Sequence, residues 1–282
     1  MQDLQEVTVP VGGKPSAETL ISLHYQPVGA IARFIDLFWY WQKPDPLRGI
    51  ERVLPTGTVE LVIDLDSGLA SDTVVSGIKS RPVIISGKNN FHQTNRLLGI
   101  HFKPGGAFPF LPLPLHNLHN IDITLADLWG EQQANDLLSL IHEEDTISGK
   151  FIVLEQWLLN HLYHPLYHQP AITLAVSELQ SRPNTVMKDL AAKINFSQRH
   201  FIHMFQNEMG LAPKLFTRIN RFQKVLDMIE DSDTGDWIGI TTACGYYDQS
   251  HFIHEFQEFS GITPETYLNI RTEHRNHLPV IN

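Results

Sequence analysis

The sequence predicts an α+β chain: a β-rich N-terminal domain, two bridging helices, and an all-α C-terminal domain. Three observations predict it. Up to about residue 120, short β-branched runs alternate with Pro/Gly turns; from residue 124, apolar positions recur at helical spacing; and in the last 110 residues a seven-residue run repeats at an offset of 51. A length of 282 residues suits two domains better than one. Hydrophobic residues at 42% and aromatics at 10% are enough for packed cores and exclude a disordered chain.

The strand signals come first. Val59 to Leu65 partly alternates and is bounded by Pro55-Thr56-Gly57 and Asp66-Ser67-Gly68. Val83-Ile84-Ile85 before Ser86-Gly87, and Leu97 to Phe102 before Lys103-Pro104-Gly105-Gly106, read the same way. Lys103 to Gly106 is a turn, because no Gly-Lys-Ser/Thr follows to make a phosphate loop. Phe34 to Trp41 is mostly apolar and fits strand or helix; Trp39 and Trp41 are expected in the core.

Helices follow. Thr124 with Asp127 makes an N-cap pair, and apolar positions from Leu125 to Ile141 share one face. A second run covers Phe151 to Leu162. Pro165 and Pro170 then punctuate the chain, which places the domains at 1–165 and 171–282.

The repeat decides the C-terminal half. His200-Phe201-Ile202-His203-Met204-Phe205-Gln206 recurs as His251-Phe252-Ile253-His254-Glu255-Phe256-Gln257, identical at every position except Met204/Glu255. The same offset maps Gly210 onto Gly261, Pro213 onto Pro264 and Phe216 onto Tyr267; upstream the offset is 50, so the second copy has one extra residue in its turn. Each copy (184–210 and 236–261) reads as short helix, turn, longer helix. In the first, Asn184 or Thr185 caps a helix through Ile194, the turn lies at Asn195-Phe196-Ser197, and Gly210 ends the second helix. Residues 214–229 form a joining helix. About 16 residues span roughly 24 Å, suited to holding two reading helices about one DNA turn apart. The second helices turn Phe201/Phe205 and Phe252/Phe256 inward. Their outer faces carry Gln198, Arg199, Ile202, His203 and Gln206, or Ser250, His251, His254 and Gln257: side chains able to address base edges and a thymine methyl.

Residues 171–271 resemble the DNA-binding domain of AraC-type transcription regulators, two helix-turn-helix units joined by a helix. The most specific match is Ala243-Cys244-Gly245-Tyr246-Tyr247-Asp248-Gln249-Ser250-His251-Phe252, then Phe256 and Gly261-Ile262-Thr263-Pro264-x-x-Tyr267. The resemblance implies base readout from Arg199, Ile202 and His203, and from Ser250, His251 and His254. It implies phosphate contacts from Ser197, Gln198, Gln249 and Gln257, and a DNA contact from Arg221, which matches a common arginine of the family. The family usually has Arg where His203 and His254 stand, and Lys where Gln206 and Gln257 stand. Fewer cations imply weaker binding and a smaller salt dependence, with the histidines adding a pH dependence. The N-terminal part is similar to the β-rich sensor-like domain that precedes some AraC-type domains. Its carriers are Arg52-Val53-Leu54-Pro55-x-Gly57-x-x-Glu60-Leu61-Val62, Ser76-Gly77, Gly99-Ile100-x-Phe102-x-Pro104-Gly105-Gly106-Ala107, and Asp127-Leu128-Trp129-Gly130.

Charge pulls the other way. The formal net charge is −10, with −7 in residues 1–170 and −3 in the remainder, so neither half is a nucleic-acid binder on net charge alone. That keeps open an alternative, a helix-turn-helix fold used as a protein-interaction module with weak or no DNA binding. No stretch approaches the roughly 18 apolar residues of a membrane helix. Asp3 and Glu6 stand where a secretory signal carries positive charge. Cys244 alone permits neither an internal disulfide nor a Cys-rich zinc site, and it is expected buried. His161-x-x-His164-x-x-x-His168 and His116-x-x-His119 are metal candidates by count alone; Pro165 breaks the register of the first. Glu143-Glu144-Asp145 reads as a solvated loop. No hydrolase, dinucleotide or Cys-pair motif is present, so no enzyme activity, cofactor or metal is expected. The expectation is a cytoplasmic transcription regulator, an activator of the AraC type. Its partners would be double-stranded DNA and a small-molecule effector of unknown identity, with RNA polymerase and a second copy of the chain admitted as further partners and no membrane.

Overall fold

The structure, a computed structural model, describes residues 5–10, 19–42, 50–86, 96–183, 185–231, 236–272 and 274–280. Asp3, Asn184 and Gly87, and the side chain of Glu6, lie outside the described residues. The fold is α+β, with N-terminal antiparallel sheet and C-terminal helices. The chain divides into two compact units: residues 1–49, 58–77 and 86–167 form one, and residues 50–57, 78–85 and 168–282 the other.

The first unit is built on a seven-stranded antiparallel sheet. Its strands are β1 (Gln5–Pro10), β2 (Thr19–Tyr25), β3 (Ile35–Gln42), β5 (Glu60–Asp64), β6 (Val74–Ser76), β8 (Arg96–Phe102) and β9 (Asp122–Thr124), in the order β1-β2-β3-β8-β5-β6-β9. Phe34 to Trp41 thus resolves as strand. Alternation along β3 buries Phe38 and Tyr40, and the ring of Phe38 meets that of Phe151 from the helix over Ile147–Asn160. Trp39 and Trp41 fall on the other face and are only half-buried, so the expectation of core tryptophans is corrected by the pleat.

The apolar run from Leu125 to Ile141 is two helices, not one. Helix α1 (Leu125–Trp129) is capped by Thr124, whose Oγ1 accepts from the Asp127 N–H. Gly130 at φ 89° breaks the register, and α2 (Glu131–Glu143) follows. Helix α3 (Ile147–Asn160) buries Phe151, Leu154 and Trp157. Glu144 is not merely solvated: it accepts from both the N–H and the hydroxyl of Thr146, and those bonds hold its carboxyl below the usual range. A polar cavity of about 250 Å³ lies between β3, β8 and the α2–α3 turn, lined by Tyr40, Arg96, His142, Glu144, Asp145 and Lys150.

Lys103 to Gly106 is a turn, with the Gly106 N–H donating to the Lys103 carbonyl. A Cβ on Gly106 would sit 1.9 Å from the carbonyl oxygen of Phe34. Gly106→Ala is therefore expected to destabilise the chain by about 1–3 kcal/mol through overpacking; an unchanged denaturation midpoint would contradict this.

The second unit holds α4 (Pro170–Ser181), α5 (Met187–Lys193), α6 (Gln198–Met209), α7 (Pro213–Asp231), α8 (Trp237–Ala243), α9 (Gln249–Ser260) and α10 (Pro264–Ile270). It also holds a small sheet in the order β10-β4-β7, from β4 (Ile50–Val53), β7 (Val83–Ser86) and β10 (His277–Pro279). Phe205, Phe216, Phe222, Phe252, Phe256, Phe259 and Tyr267 are fully buried at its core. Helix α5 begins later than its cap signal suggests. Val186 precedes it with no side-chain cap, because the Thr185 hydroxyl donates instead to the carbonyl of Arg182.

Candidate nucleic-acid interface

Both copies of the repeat fold as short helix, turn, longer helix. In the first, Asn195 takes φ 59° in the turn, a conformation asparagine tolerates better than most residues. Ser197 caps α6 by accepting from the His200 N–H, and Gly210 ends it at φ 77°. In the second, Gly245 turns at φ 72°, Asp248 Oδ1 accepts from the His251 N–H at 2.7 Å, and Gly261 ends α9 at φ 72°. Asp236 caps α8, and Lys224 Nζ donates to the Ala243 carbonyl at its far end.

Caps set the helix ends, and the phenylalanines set their rotation. With Phe201 and Phe205 buried, Ser197, Gln198, Arg199 and His203 are exposed, and Ile202 and Gln206 half-buried. With Phe252 and Phe256 buried, Gln249, Ser250, His251, His254 and Gln257 are exposed. His203 Nδ1 lies 3.2 Å from Asn207 Nδ2. His251 is partly engaged by its own unit: Nδ1 accepts from the Tyr247 N–H at 3.4 Å, and Nε2 faces Glu255 Oε2 at 3.9 Å.

Arg221 departs from its expected place at DNA. It is buried on α7, where Nε and Nη2 donate to Glu255 Oε1 at 2.9 and 2.6 Å and its guanidinium lies over the Tyr246 ring at 4.3 Å. Arg218 Nε donates to the other Glu255 oxygen at 2.7 Å and pairs with Glu258 through Nη2. A buried carboxylate needs such partners, and Arg221 is occupied as one of them. Burial, and next the Glu255 charge, push the Tyr246 phenol far above its ordinary pKa. Glu255 stands at the single mismatch in the repeated heptapeptide, where the first copy has buried Met204.

These features match a known family. Residues 190–270 match the family described as "Helix-turn-helix domain". The second unit carries a helix-turn-helix domain. Residues 23–124 match a "Domain of unknown function (DUF6597)". Among solved structures, the C-terminal domain of AraT, a response regulator from Geobacillus stearothermophilus, is 19% identical over 38% of this chain and 92% of that one, with a TM-score of 0.34. ToxT from Vibrio cholerae is 13% identical over 89% of this chain and 98% of its own, with a TM-score of 0.39. Unsaturated fatty acid bound ToxT from Vibrio cholerae strain SCE256 is 12% identical over 91% and 97%, at 0.37. No curated protein matches.

The helix-turn-helix domain also exposes side chains that sequence patterning did not single out. Tyr247, the extra turn residue of the second copy, is 91% exposed just before α9, and Ile238 on α8 is 74% exposed. The unequal offset was the signal for Tyr247. Cys244 is buried, its Sγ 3.6 Å from Met228 Sδ, and burial pushes its thiol pKa up. The metal candidates have separate surroundings. In the first unit His161 stacks on Trp157 and His164 on Phe108; in the second His168 Nδ1 lies 3.1 Å from Glu208 Oε2. Among the described residues no three His, Cys, Asp or Glu side chains converge as a metal site would need, and no helix is long and apolar enough to cross a membrane.

Proposed function

We propose that the chain is a cytoplasmic, effector-responsive transcription regulator without catalytic activity that reads two successive major-groove segments, one with α6 and one with α9. The observation that carries this reading is the pair of capped helix-turn-helix units, each with a polar, exposed second helix, joined by α7. The 19 residues of α7 extend about 28 Å at the helical rise, close to the roughly 34 Å repeat of half-sites on one face of DNA. Arg199, Ile202 and His203, with Ser250, His251 and His254, are the proposed base readers. Ser197, Gln198, Gln249 and Gln257 are the proposed phosphate contacts.

Fluorescence anisotropy of the full chain against a random-sequence duplex, titrated from low to physiological salt, tests this. The expected result is binding at low salt that weakens steeply as salt rises, since each phosphate contact releases counterions. No binding at low salt by the folded chain would overturn it in favour of a protein-interaction module, which the net charge of −10 favours. The effector-responsive part rests on domain order and on the polar cavity beside Arg96 and Lys150. A small polar molecule that shifts both the unfolding temperature and the anisotropy curve is its expected signature.

A further inference from the structure

We infer that Arg52, from the first half of the chain, is a positioning residue for the second reading helix, so that the DNA-reading unit is completed by residues 50–57. This rests on the proposed reading of DNA by α9. Residues 50–57 belong to the second unit, although they fall within the span of the domain of unknown function and outside that of the helix-turn-helix match.

The segment is held along its whole length. Strand β4 pairs antiparallel with β10, Leu278 opposite Arg52. The Leu54 N–H donates to the Asn276 carbonyl at 2.8 Å and the Val280 N–H to that of Ile50 at 2.9 Å. Gln223 of α7, the helix joining the two reading units, donates through Nε2 to the Pro55 carbonyl at 2.8 Å and to Asn276 Oδ1 at 2.9 Å. Leu54 and Leu278 are buried.

From this frame Arg52 Nη1 donates to the carbonyl of Ser260 at 2.9 Å. Ser260 is the last residue of α9, and a terminal helix carbonyl has no partner within its own helix. It also carries the negative end of the helix dipole, which a guanidinium complements. Gly261 makes room: a Cβ there would lie 2.6 Å from Nη1. The glycine that stops the helix is therefore also what admits the cation. The proposed DNA contacts Gln249 and Ser250 lie at the other end of this 12-residue helix, about 16 Å away at the helical rise. A small tilt at the anchored end becomes a larger displacement at the reading end. The first reading helix is pinned differently, through Glu208, which accepts from His168 and from the Gln169 N–H.

The test uses full-length Arg52→Ala and Arg52→Lys, followed by hydrogen exchange and by the salt-titrated anisotropy assay on a random-sequence duplex. Arg52→Ala is expected to speed exchange in the last turn of α9 by about tenfold, the weight of one charge-assisted hydrogen bond, while α6 stays unchanged. DNA affinity should fall several-fold with an unchanged salt slope, and Arg52→Lys should recover most of both. Unchanged exchange in α9 would overturn the inference whether or not the chain binds DNA. A slope smaller by about 0.9 would overturn it too, because Arg52 would then be a direct phosphate contact. If the wild-type chain fails to bind while its α9 exchange responds to Arg52→Ala, the DNA reading is what falls.

Discussion

Replacing Glu255 by alanine should lower the unfolding free energy of the chain by about 3–5 kcal/mol, the range for removing one partner of a buried ion pair. The reason is what remains. The Glu255 side chain is 4% exposed and accepts from Arg218 and Arg221, and the Arg221 side chain is itself only 8% exposed. Arg218 keeps Glu258 in the variant, but among the described residues Arg221 keeps only the face of Tyr246. An isolated charge in that setting has lost its solvation and its counter-charge together. Glu255→Gln is expected to cost nearly as much, because shape is preserved while the charge is not. Joint replacement of Glu255 and Arg221 by methionine should recover most of the loss, since an apolar pair of similar volume removes the desolvation penalty on both sides. Denaturant unfolding followed by circular dichroism measures all three. A double variant no more stable than Glu255→Ala would rule out the ion pair as the cause.

The combined variant His203→Arg and His254→Arg should bind DNA more tightly than the natural chain and with a steeper salt dependence. Both histidines are exposed, one on each reading helix. Arginine there adds a permanent cation able to meet a phosphate. Each added contact steepens the slope by about 0.9, or about 3.5-fold in affinity between 50 and 200 mM salt. An unchanged slope in the variant would mean that neither position meets a phosphate.

The helical half was legible because its signals are local. Ser197, Gly210, Asp248 and Gly261 each act on backbone groups within a few residues, and Phe201/Phe205 with Phe252/Phe256 set the buried face by spacing alone. The exposed candidates at 197–203 and 249–257 followed from those marks. Arg221 did not, because whether an arginine on a helix meets DNA or a buried carboxylate depends on Glu255, 34 positions away. In the sheet half, β5 and β8 were readable from β-branched runs and turns, the mostly apolar β3 fitted strand or helix equally, and the break at Gly130 was hidden by apolar residues on both sides.

By itself the sequence determined the duplicated helical unit, its caps and turns, and the polar outer faces, since these are properties of contiguous residues under helical geometry. Tertiary structure alone decided that residues 50–57 pair with residues 276–280 and complete the C-terminal unit, and that Arg52 ends at the carbonyl of Ser260. A strand's partner more than 200 residues away leaves no periodic mark in either segment. Its choice is made by the burial of Leu54 and Leu278 and by backbone groups that must find hydrogen bonds once water is excluded.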